Sequence, residues 1–491
     1  MPARRTCLAL LAGAFLASRL LCFAAGVRFD AQPLDFYWQY IDPALLRHDF
    51  WRSIFYLEWQ PPAFNFFLGA MLHLFPAHPQ IGYQLVYLGL GLALSLSLFE
   101  LMDRMGVNRR IALAIALVFT LSPSTILYEN LLFYEYPLAA LFAIAALFLQ
   151  RFATGGRLRD GVVFFTCAAL IAGIRSIFHL VWFCVVAWLL VWTMREWRKR
   201  VVLAAAAPGL LLAAFYGKHF LVFHNFVPGG TVSGGVNAAA VMTDPVPRGA
   251  LQALIASGEI TPVLRANIFH LYREFDTEPA QSLLARIVPV PSKTGIPALD
   301  ECRKSTHAIN WNCVWAERVA QVYARDSLVV FRHYPEAYLA SLRNNLEKYF
   351  WSDTDLWPFD GRDDDANQRI LTRPLALYNL FSSGEWPPDE GRPWLAYFVL
   401  PGLLGFGVFQ AWWALRGSGS VEKARGITLA FLVGNAVYLS VVVILFSASD
   451  QNRYRSEVSA YFAVLLGLAL TRVARTLRSS SLLDRDVPLD R

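Results

Sequence analysis

An acidic and aromatic segment near the N-terminus has the residue types that a catalytic loop needs. It begins at Asp35, continues through residues 36–39 (Phe-Tyr-Trp-Gln) and reaches residues 60–62 (Gln-Pro-Pro), between the first two strongly apolar runs of the chain. A carboxylate such as Asp35 can act as a general base by accepting a proton from a hydroxyl group. Its position just after an apolar run would place that chemistry at the edge of a membrane.

Further ionisable residues lie at the ends of later apolar runs, on the same predicted side. Such groups are functional candidates by default, although Asp42, Glu58 and Glu457 taken singly are better explained as interfacial salt bridges or as side chains that extend towards water. Arg175 differs, because an arginine in a tight turn between two apolar helices needs an anionic partner, either a protein carboxylate or a lipid phosphate. The full set is Asp35, Asp42, Glu58, Glu129, Glu135, Arg175, Lys218, His219, Asp450, Arg453, Arg455 and Glu457.

These residue types are suited to group transfer from a phosphate ester. Guanidinium groups match phosphate oxygens through paired N–H donors and can stabilise a phosphate leaving group. We therefore predict that Asp35 accepts a proton while Arg175, Arg453 and Arg455 hold a phosphate. The site would lie at headgroup depth, where a lipid-borne donor reaches it without leaving the membrane.

The composition is that of a membrane protein. Of 491 residues, 56% are hydrophobic and 16% are charged, whereas soluble domains carry about 25% charged residues. Apolar runs of roughly 20 residues can cross a bilayer, so we expect an all-α polytopic membrane protein with about ten transmembrane helices. The predicted spans are residues 6–27, 80–101, 110–128, 132–150, 160–174, 176–194, 201–222, 393–415, 426–447 and 457–471.

Basic residues occupy every second connection between these spans, which predicts the orientation of the chain. By the positive-inside rule both termini lie in the cytoplasm. The net charge of +7 sits in these short connections and is not a nucleic-acid signal. Residues 63–75 are shorter than the roughly 17 residues of a span, so we expect a re-entrant or interfacial segment. The run 6–27 exceeds a cleavable core of about 7–15 residues and is predicted to be a retained signal anchor.

Two larger segments are predicted on the non-cytoplasmic side. They are the first loop (28–62), which belongs to an N-terminal membrane core (1–222), and a mainly helical loop domain (223–391). The C-terminal membrane helices (392–472) and a cytoplasmic tail (473–491) follow. The first loop is expected to form interfacial amphipathic helices. In the loop domain, residues 326–350 have helical spacing with an interruption at Pro335.

Residues 160–194 predict a tight helical hairpin. As one helix they would be about 52 Å long at 1.5 Å per residue, yet basic clusters flank both ends and place both on the same side. The chain must therefore reverse near residues 173–176, with Arg175 at the apex.

The cysteines and histidines predict no cofactor site. Cys302 and Cys313 lie in the loop domain, where an oxidising compartment would permit a disulfide, although spacing alone leaves the bond open. No His/Cys cluster has metal-binding spacing. No feature of the sequence requires a metal, and the sequence leaves open whether carboxylates hold a divalent cation.

Short motifs resemble those of a family of membrane enzymes. Residues 57–65 (Leu-Glu-Trp-Gln-Pro-Pro-Ala-Phe-Asn) resemble the re-entry motif that follows the first loop of bacterial GT-C glycosyltransferases, relatives of protein O-mannosyltransferases and the lipid A aminoarabinose transferase. Residues 452–455 (Asn-Arg-Tyr-Arg) resemble the motif that opens their last span. Residues 128–130 and 173–175 match the family's polar second loop and basic residue. The resemblance covers the membrane core, about two-thirds of the chain.

That resemblance implies a glycosyltransferase of the bacterial inner membrane whose active site faces the periplasm. It would move a sugar from a polyprenyl-phosphate donor to a glycan, lipid or protein acceptor, inverting the anomeric centre. Asp35 would be the base. The phosphate would be held by Arg175, Arg453 and Arg455, with Lys218 and Gln60 nearby.

Departures from the family pattern leave the base open. The usual Asp-Glu pair of the first loop is here a lone Asp35, and Trp59 replaces a frequent histidine. Glu58 and Glu129 are the alternatives to Asp35.

Three other function classes fit parts of the sequence. A lipid-linked polysaccharide polymerase or ligase also has a large outer loop and outer arginines, but would not need Asp35 and residues 60–62. A secondary transporter places its site near the bilayer midplane on repeated halves, whereas here the span centres carry almost no charge and the halves do not match. A non-catalytic membrane scaffold is the third class.

Overall fold

The computed structural model describes residues 3–265, 285–289, 291–354, 366–382, 393–448 and 450–483. Helix is the main regular structure of these residues, and the β-bridges among them are isolated, pairing Asp30 with Leu131 and Arg303 with Ile309. The all-α expectation is therefore confirmed for the described part of the chain.

The helices before the loop domain are α1 Arg4–Ala24, α2 Pro33–Phe36, α3 Pro43–His48, α4 Phe50–Phe55, α5 Pro62–Leu74, α6 Pro79–Arg104, α7 Arg109–Leu121, α8 Pro123–Glu129, α9 Glu135–Gly155, α10 Leu158–Ile174, α11 Leu180–Thr193 and α12 Arg198–Phe223. Those that follow are α13 Gly230–Thr243, α14 Arg248–Ala256, α15 Pro297–Asp300, α16 Val314–His333, α17 Pro335–Phe350, α18 Ala366–Ser382, α19 Trp394–Arg416, α20 Ser420–Phe446, α21 Gln451–Ser456 and α22 Ser459–Leu483.

Seven described helices are long and apolar enough to cross a membrane, and an eighth span results if α7 and α8 are counted as one. The chain is accordingly a multi-pass membrane protein, but the predicted ten spans are not confirmed. The predicted spans 160–174 and 176–194 correspond to α10 and α11, which have only 17 and 14 residues. The re-entrant or interfacial segment at 63–75 corresponds to the 13-residue helix α5.

The breaks between helices have local causes. Pro123 interrupts the apolar run after α7, the Ser122 hydroxyl accepts a hydrogen bond from the Thr125 amide at 3.2 Å, and the axis bends by 53°. A proline cannot donate the backbone hydrogen bond that a continuous helix requires. In the predicted hairpin, α10 ends at Ile174 and α11 begins at Leu180, so the break falls at Arg175 as expected. The predicted helix 326–350 is divided between α16 and α17, which meet at Tyr334 immediately before Pro335.

Within the loop domain, α13 packs directly onto the backbone of α16. A Cβ atom added to Gly235 would lie 2.1 Å from the carbonyl oxygen of Ala320, so no side chain fits there. The disulfide between Cys302 and Cys313, which the sequence left open, is present. It closes residues 302–313 into a loop, here called the disulfide loop, which contacts the first loop of the chain.

Candidate functional site

Two arginines and two glutamates form a buried cluster where several helices end. Arg453 Nε lies 3.2 Å from Glu135 Oε1, and Arg175 lies 3.8 Å from Glu135 Oε1 and 3.4 Å from Glu457 Oε1. The side chains of Arg175 and Arg453 are 5% and 6% exposed, and those of both glutamates are fully buried. We call these four residues the arginine cluster.

Each member of the arginine cluster is placed by the end of a helix. Glu135 begins α9, Arg175 follows α10, and Arg453 belongs to the short helix α21, which Glu457 follows. The Arg175 guanidinium is sandwiched between two tyrosine rings, 4.5 Å from the centroid of Tyr134 and 4.4 Å from that of Tyr454. Stacking on both faces leaves the N–H groups at the edge of the guanidinium for anions.

The cluster is paired by charge but not saturated by hydrogen bonds. Among the described residues, Nε of Arg175, Nε of Arg453 and all four carboxylate oxygens of Glu135 and Glu457 lack a hydrogen-bond partner. Buried charged groups are normally both paired and hydrogen-bonded. The two Nε groups face Glu457 and Glu135 at 3.4 and 3.2 Å, so charge pairing holds the arginines and glutamates of the cluster together.

Arg175 and Arg453 line a cavity of about 610 Å³. We call it the arginine cavity. Its walls come from the first loop, the α10–α11 turn, α13, the disulfide loop and the segment between α20 and α21. The described residues that line it are Phe36, Tyr37, Trp38, Gln39, Gln60, Arg175, Ser176, Ile177, Asn237, Ile309, Trp311, Val442, Val443, Phe446, Ser447, Ala448, Asp450, Arg453 and Tyr454.

Trp38 and Trp311 form one wall of the arginine cavity, with the buried Trp59 packed behind them. The ring centroids of Trp38, Trp59 and Trp311 lie 5.2 to 5.9 Å from one another. The side-chain amide of Gln39 lies beside them, and its oxygen accepts hydrogen bonds from the hydroxyls of Tyr37 and Tyr134. Flat apolar faces next to a few fixed polar groups are typical of ligand pockets.

The disulfide loop and a motif asparagine hold this wall in place. Asn312 accepts hydrogen bonds from the amides of Glu58 and Trp59 at 2.7 and 3.2 Å, and the ammonium group of Lys304 donates to the Tyr37 carbonyl at 2.7 Å. Asn65, the last residue of the predicted re-entry motif, donates to the Gln39 carbonyl at 3.1 Å. The first loop is therefore fixed from two directions.

Of the predicted phosphate ligands, Gln60, Arg175 and Arg453 meet at the arginine cavity, whereas Arg455 and Lys218 are not among its lining residues. The Arg455 guanidinium donates to the carbonyls of Tyr349 and Trp351, at the C-terminal end of α17. Lys218 donates to the Phe55 carbonyl at 2.7 Å. Arg455 and Lys218 therefore bind backbone carbonyls at the C-terminal ends of α17 and α4, respectively.

The three predicted bases lie in three different places. Asp35 is exposed and is not among the described lining residues, although residues 36–39 are. Glu129 is buried and receives two hydrogen bonds from Arg19, both 2.8 Å, and one from the Tyr136 hydroxyl at 2.6 Å. Its charge is therefore neutralised within the helix bundle.

Glu58 lines a separate cavity of about 340 Å³, which also contains Glu317 and Asn312. Burial, and after it the nearby Glu317 carboxylate, raises the pKa of Glu58 from its ordinary 4.5 to about 8. The carboxyl group is therefore protonated at neutral pH, which disfavours it as a base there.

Replacing Glu58 with glutamine should stabilise the protein in a pH-dependent way. Between about pH 4.5 and pH 8, folded Glu58 holds a proton that the unfolded chain has released, so the free energy of unfolding falls as pH rises, by up to about 1.4 kcal/mol per pH unit. Glutamine removes this term. The advantage of Glu58→Gln over the wild type should grow from pH 5 to pH 8 and then stay constant, as measured by denaturant unfolding in detergent. An advantage equal at all pH values would contradict the assignment.

Sequence reasoning collected Glu135 and Glu457 without recognising that both pair with Arg175. It did not single out Arg19, Lys304 or Trp311. Arg19 could have been noticed as a charge inside the first apolar run, whereas Lys304 and Trp311 carry no local signal. Among the described residues, no group of three or more His, Cys, Asp or Glu side chains is placed to hold a metal ion.

The chain matches no known protein-family model, no curated protein and no solved structure. Its function is therefore inferred from the arginine cavity and the sequence motifs.

Proposed function

We propose that the protein is a membrane glycosyltransferase that takes a sugar from a polyprenyl-phosphate donor in the arginine cavity. The observation that carries the proposal is the pair of guanidinium groups, Arg175 and Arg453, in the wall of a cavity that also has tryptophan and amide groups. The first part of the donor to be recognised is its phosphate. Arginine is the residue best suited to that anion, because its planar fork binds two phosphate oxygens at once.

The remaining walls of the cavity suit a sugar ring. Trp38 and Trp311 offer flat faces on which the C–H groups of a pyranose or furanose can pack, and Gln39, Gln60 and Asn237 carry amides that can bond its hydroxyls. A volume of about 610 Å³ lies in the range of roughly 300–1,000 Å³ that small-molecule sites occupy. Phosphate and sugar would thus occupy adjacent parts of one cavity.

The ends of apolar helices lie beside the arginine cavity, which supports a site near the depth of lipid headgroups. α9 begins at Glu135, and α20 ends at Phe446 just before the lining segment. A polyprenyl chain could stay in the membrane while its phosphate enters. Together with the distribution of basic loops, this supports an inner-membrane protein with cytoplasmic termini and a periplasmic site. The acceptor would be a glycan, lipid or protein reaching the site from that side.

The proposal is tested by supplying purified protein with labelled polyprenyl-phosphate hexoses and pentoses and an envelope extract as acceptor. We expect donor-dependent release of polyprenyl phosphate, detected by mass spectrometry. Trp38→Ala should raise the KM for the donor about tenfold, which corresponds to about 1.4 kcal/mol and is the size of an aromatic contact. Trp51→Ala is the matched control, since Trp51 is 72% exposed. If no donor yields polyprenyl phosphate, the proposed function is wrong.

A further inference from the structure

One carboxylate does line the arginine cavity. Among the described residues of its wall, Asp450 is the one acidic side chain. It is partly exposed, so a ligand in the cavity can reach it. It lies three residues before Arg453, whose amide donates to the Asp450 carbonyl at 3.1 Å. Asp450 and Arg453 therefore line the arginine cavity together from positions three residues apart.

The backbone of Asp450 has an uncommon conformation. Its φ is 55° and its ψ is 43°, in the left-handed region, which few residues other than glycine, asparagine and aspartate adopt. Aspartate at the N-terminal cap of a helix usually accepts a hydrogen bond from the first turn, yet the Asp450 side chain makes no such bond to α21. Asp450 therefore does not cap α21 through its side chain, and the residue lines the arginine cavity.

The other candidate carboxylates have different environments. Glu135, Glu457 and Glu129 are not among the described residues that line the arginine cavity. Asp35 and Glu58 lie outside the lining of the arginine cavity. Asp450 is thus the carboxylate placed to contact a substrate beside the arginines.

We propose that Asp450 is the general base of the transfer reaction, an assignment that rests on the proposed function. The Asp450 carboxylate takes the proton of the acceptor hydroxyl, whose oxygen bonds to the anomeric carbon of the donor sugar. The bond from that carbon to the phosphate oxygen breaks, and its electron pair leaves with the polyprenyl phosphate, which Arg175 and Arg453 hold. One proton moves to Asp450 and one sugar moves to the acceptor, so no further reactant is needed.

Asp450→Asn is the decisive variant, because asparagine is isosteric and tolerates the left-handed backbone as aspartate does. General base catalysis contributes about 10²–10⁴-fold to rates, so kcat should fall at least about a hundredfold. Binding of sugar-free polyprenyl phosphate, measured by intrinsic fluorescence titration, should stay within about threefold of the wild type, because the arginines remain. Asp35→Asn is compared with it, because Asp35 is the base that the sequence motifs predict.

The outcomes separate the two proposals. If Asp450→Asn keeps more than about a tenth of the wild-type kcat, or if Asp35→Asn loses activity while Asp450→Asn does not, Asp450 is not the base, and the glycosyltransferase proposal stands. If the wild type releases no polyprenyl phosphate from any donor, the proposed function fails and this assignment fails with it. A hundredfold loss confined to Asp450→Asn, with lipid-phosphate binding intact, supports the assignment.

Discussion

Replacing Arg453 with lysine should lower sugar transfer about a hundredfold while the protein stays folded. Lysine keeps the positive charge opposite Glu135, so no carboxylate is left unpaired, but it has a single ammonium group in place of the planar fork. Losing one fixed donor to a developing negative charge costs about 10²–10³ in rate in enzymes where it has been measured. The measurement is the initial rate of polyprenyl-phosphate release, together with the affinity for sugar-free polyprenyl phosphate.

Arg455 provides the matched control, two residues further along the chain. Its guanidinium donates to carbonyls at the end of α17, so Arg455→Lys should lower the melting temperature and leave the affinity for polyprenyl phosphate unchanged. The assignment of the phosphate to the arginine cavity would be lost if Arg453→Lys bound and turned over the donor normally, or if Arg455→Lys were the variant that lost donor binding.

Replacing Arg19 with methionine should destabilise the protein by about 3–5 kcal/mol, the usual cost of leaving one member of a buried ion pair alone. Arg19 comes from α1 and joins Glu129 at the end of α8 through two hydrogen bonds. It also donates to the Thr120 carbonyl at 2.8 Å. Thermal unfolding followed by fluorescence-detected size exclusion should show a clear fall in melting temperature.

A double substitution distinguishes a lost charge pair from lost packing. Arg19→Met combined with Glu129→Gln removes both charges, so the uncompensated carboxylate disappears and much of the stability should return. Glu129→Gln alone leaves the guanidinium unpaired and should also destabilise. If the two single effects simply add in the double variant, the two residues are not coupled and the ion pair does not stabilise the contact between α1 and α8.

The sequence predicted those features that follow from local pattern. The apolar run 201–222 is long enough to identify α12 by length alone, Pro335 marks the boundary between α16 and α17, and basic flanks at both ends of 160–194 require the break at Arg175. Each of these depends on residues close together in the chain, where hydropathy and proline chemistry act. The expectation of ten spans is not confirmed, because it counted apolar stretches, whereas α10 and α11 are shorter than most spans.

The choice among carboxylates could not be made from the sequence. Glu129 and Glu135 are six residues apart and cannot be distinguished in the sequence, yet Glu129 forms an ion pair with Arg19 and Glu135 forms one with Arg453. Their partners lie 110 residues before Glu129 and 318 residues after Glu135 in the chain. The bend between α7 and α8 and the start of α9 determine which direction each glutamate takes. Asp35 and Asp450 show the same limit, since only the folded chain reveals which of them lines the arginine cavity.

The arginine cluster also has a consequence for how the chain is assembled during translation. Glu135 and Arg175 leave the ribosome early and at that stage have only each other, 3.8 Å apart in the finished protein. Arg453 and Glu457, which complete the charge balance, are synthesised nearly 280 residues later. At about 5–20 residues per second, this delay lasts roughly 15–55 s, during which the partly synthesised helix bundle must keep an incomplete polar cluster out of lipid. We therefore expect the nascent chain to depend on the insertion machinery until its last helices have been made.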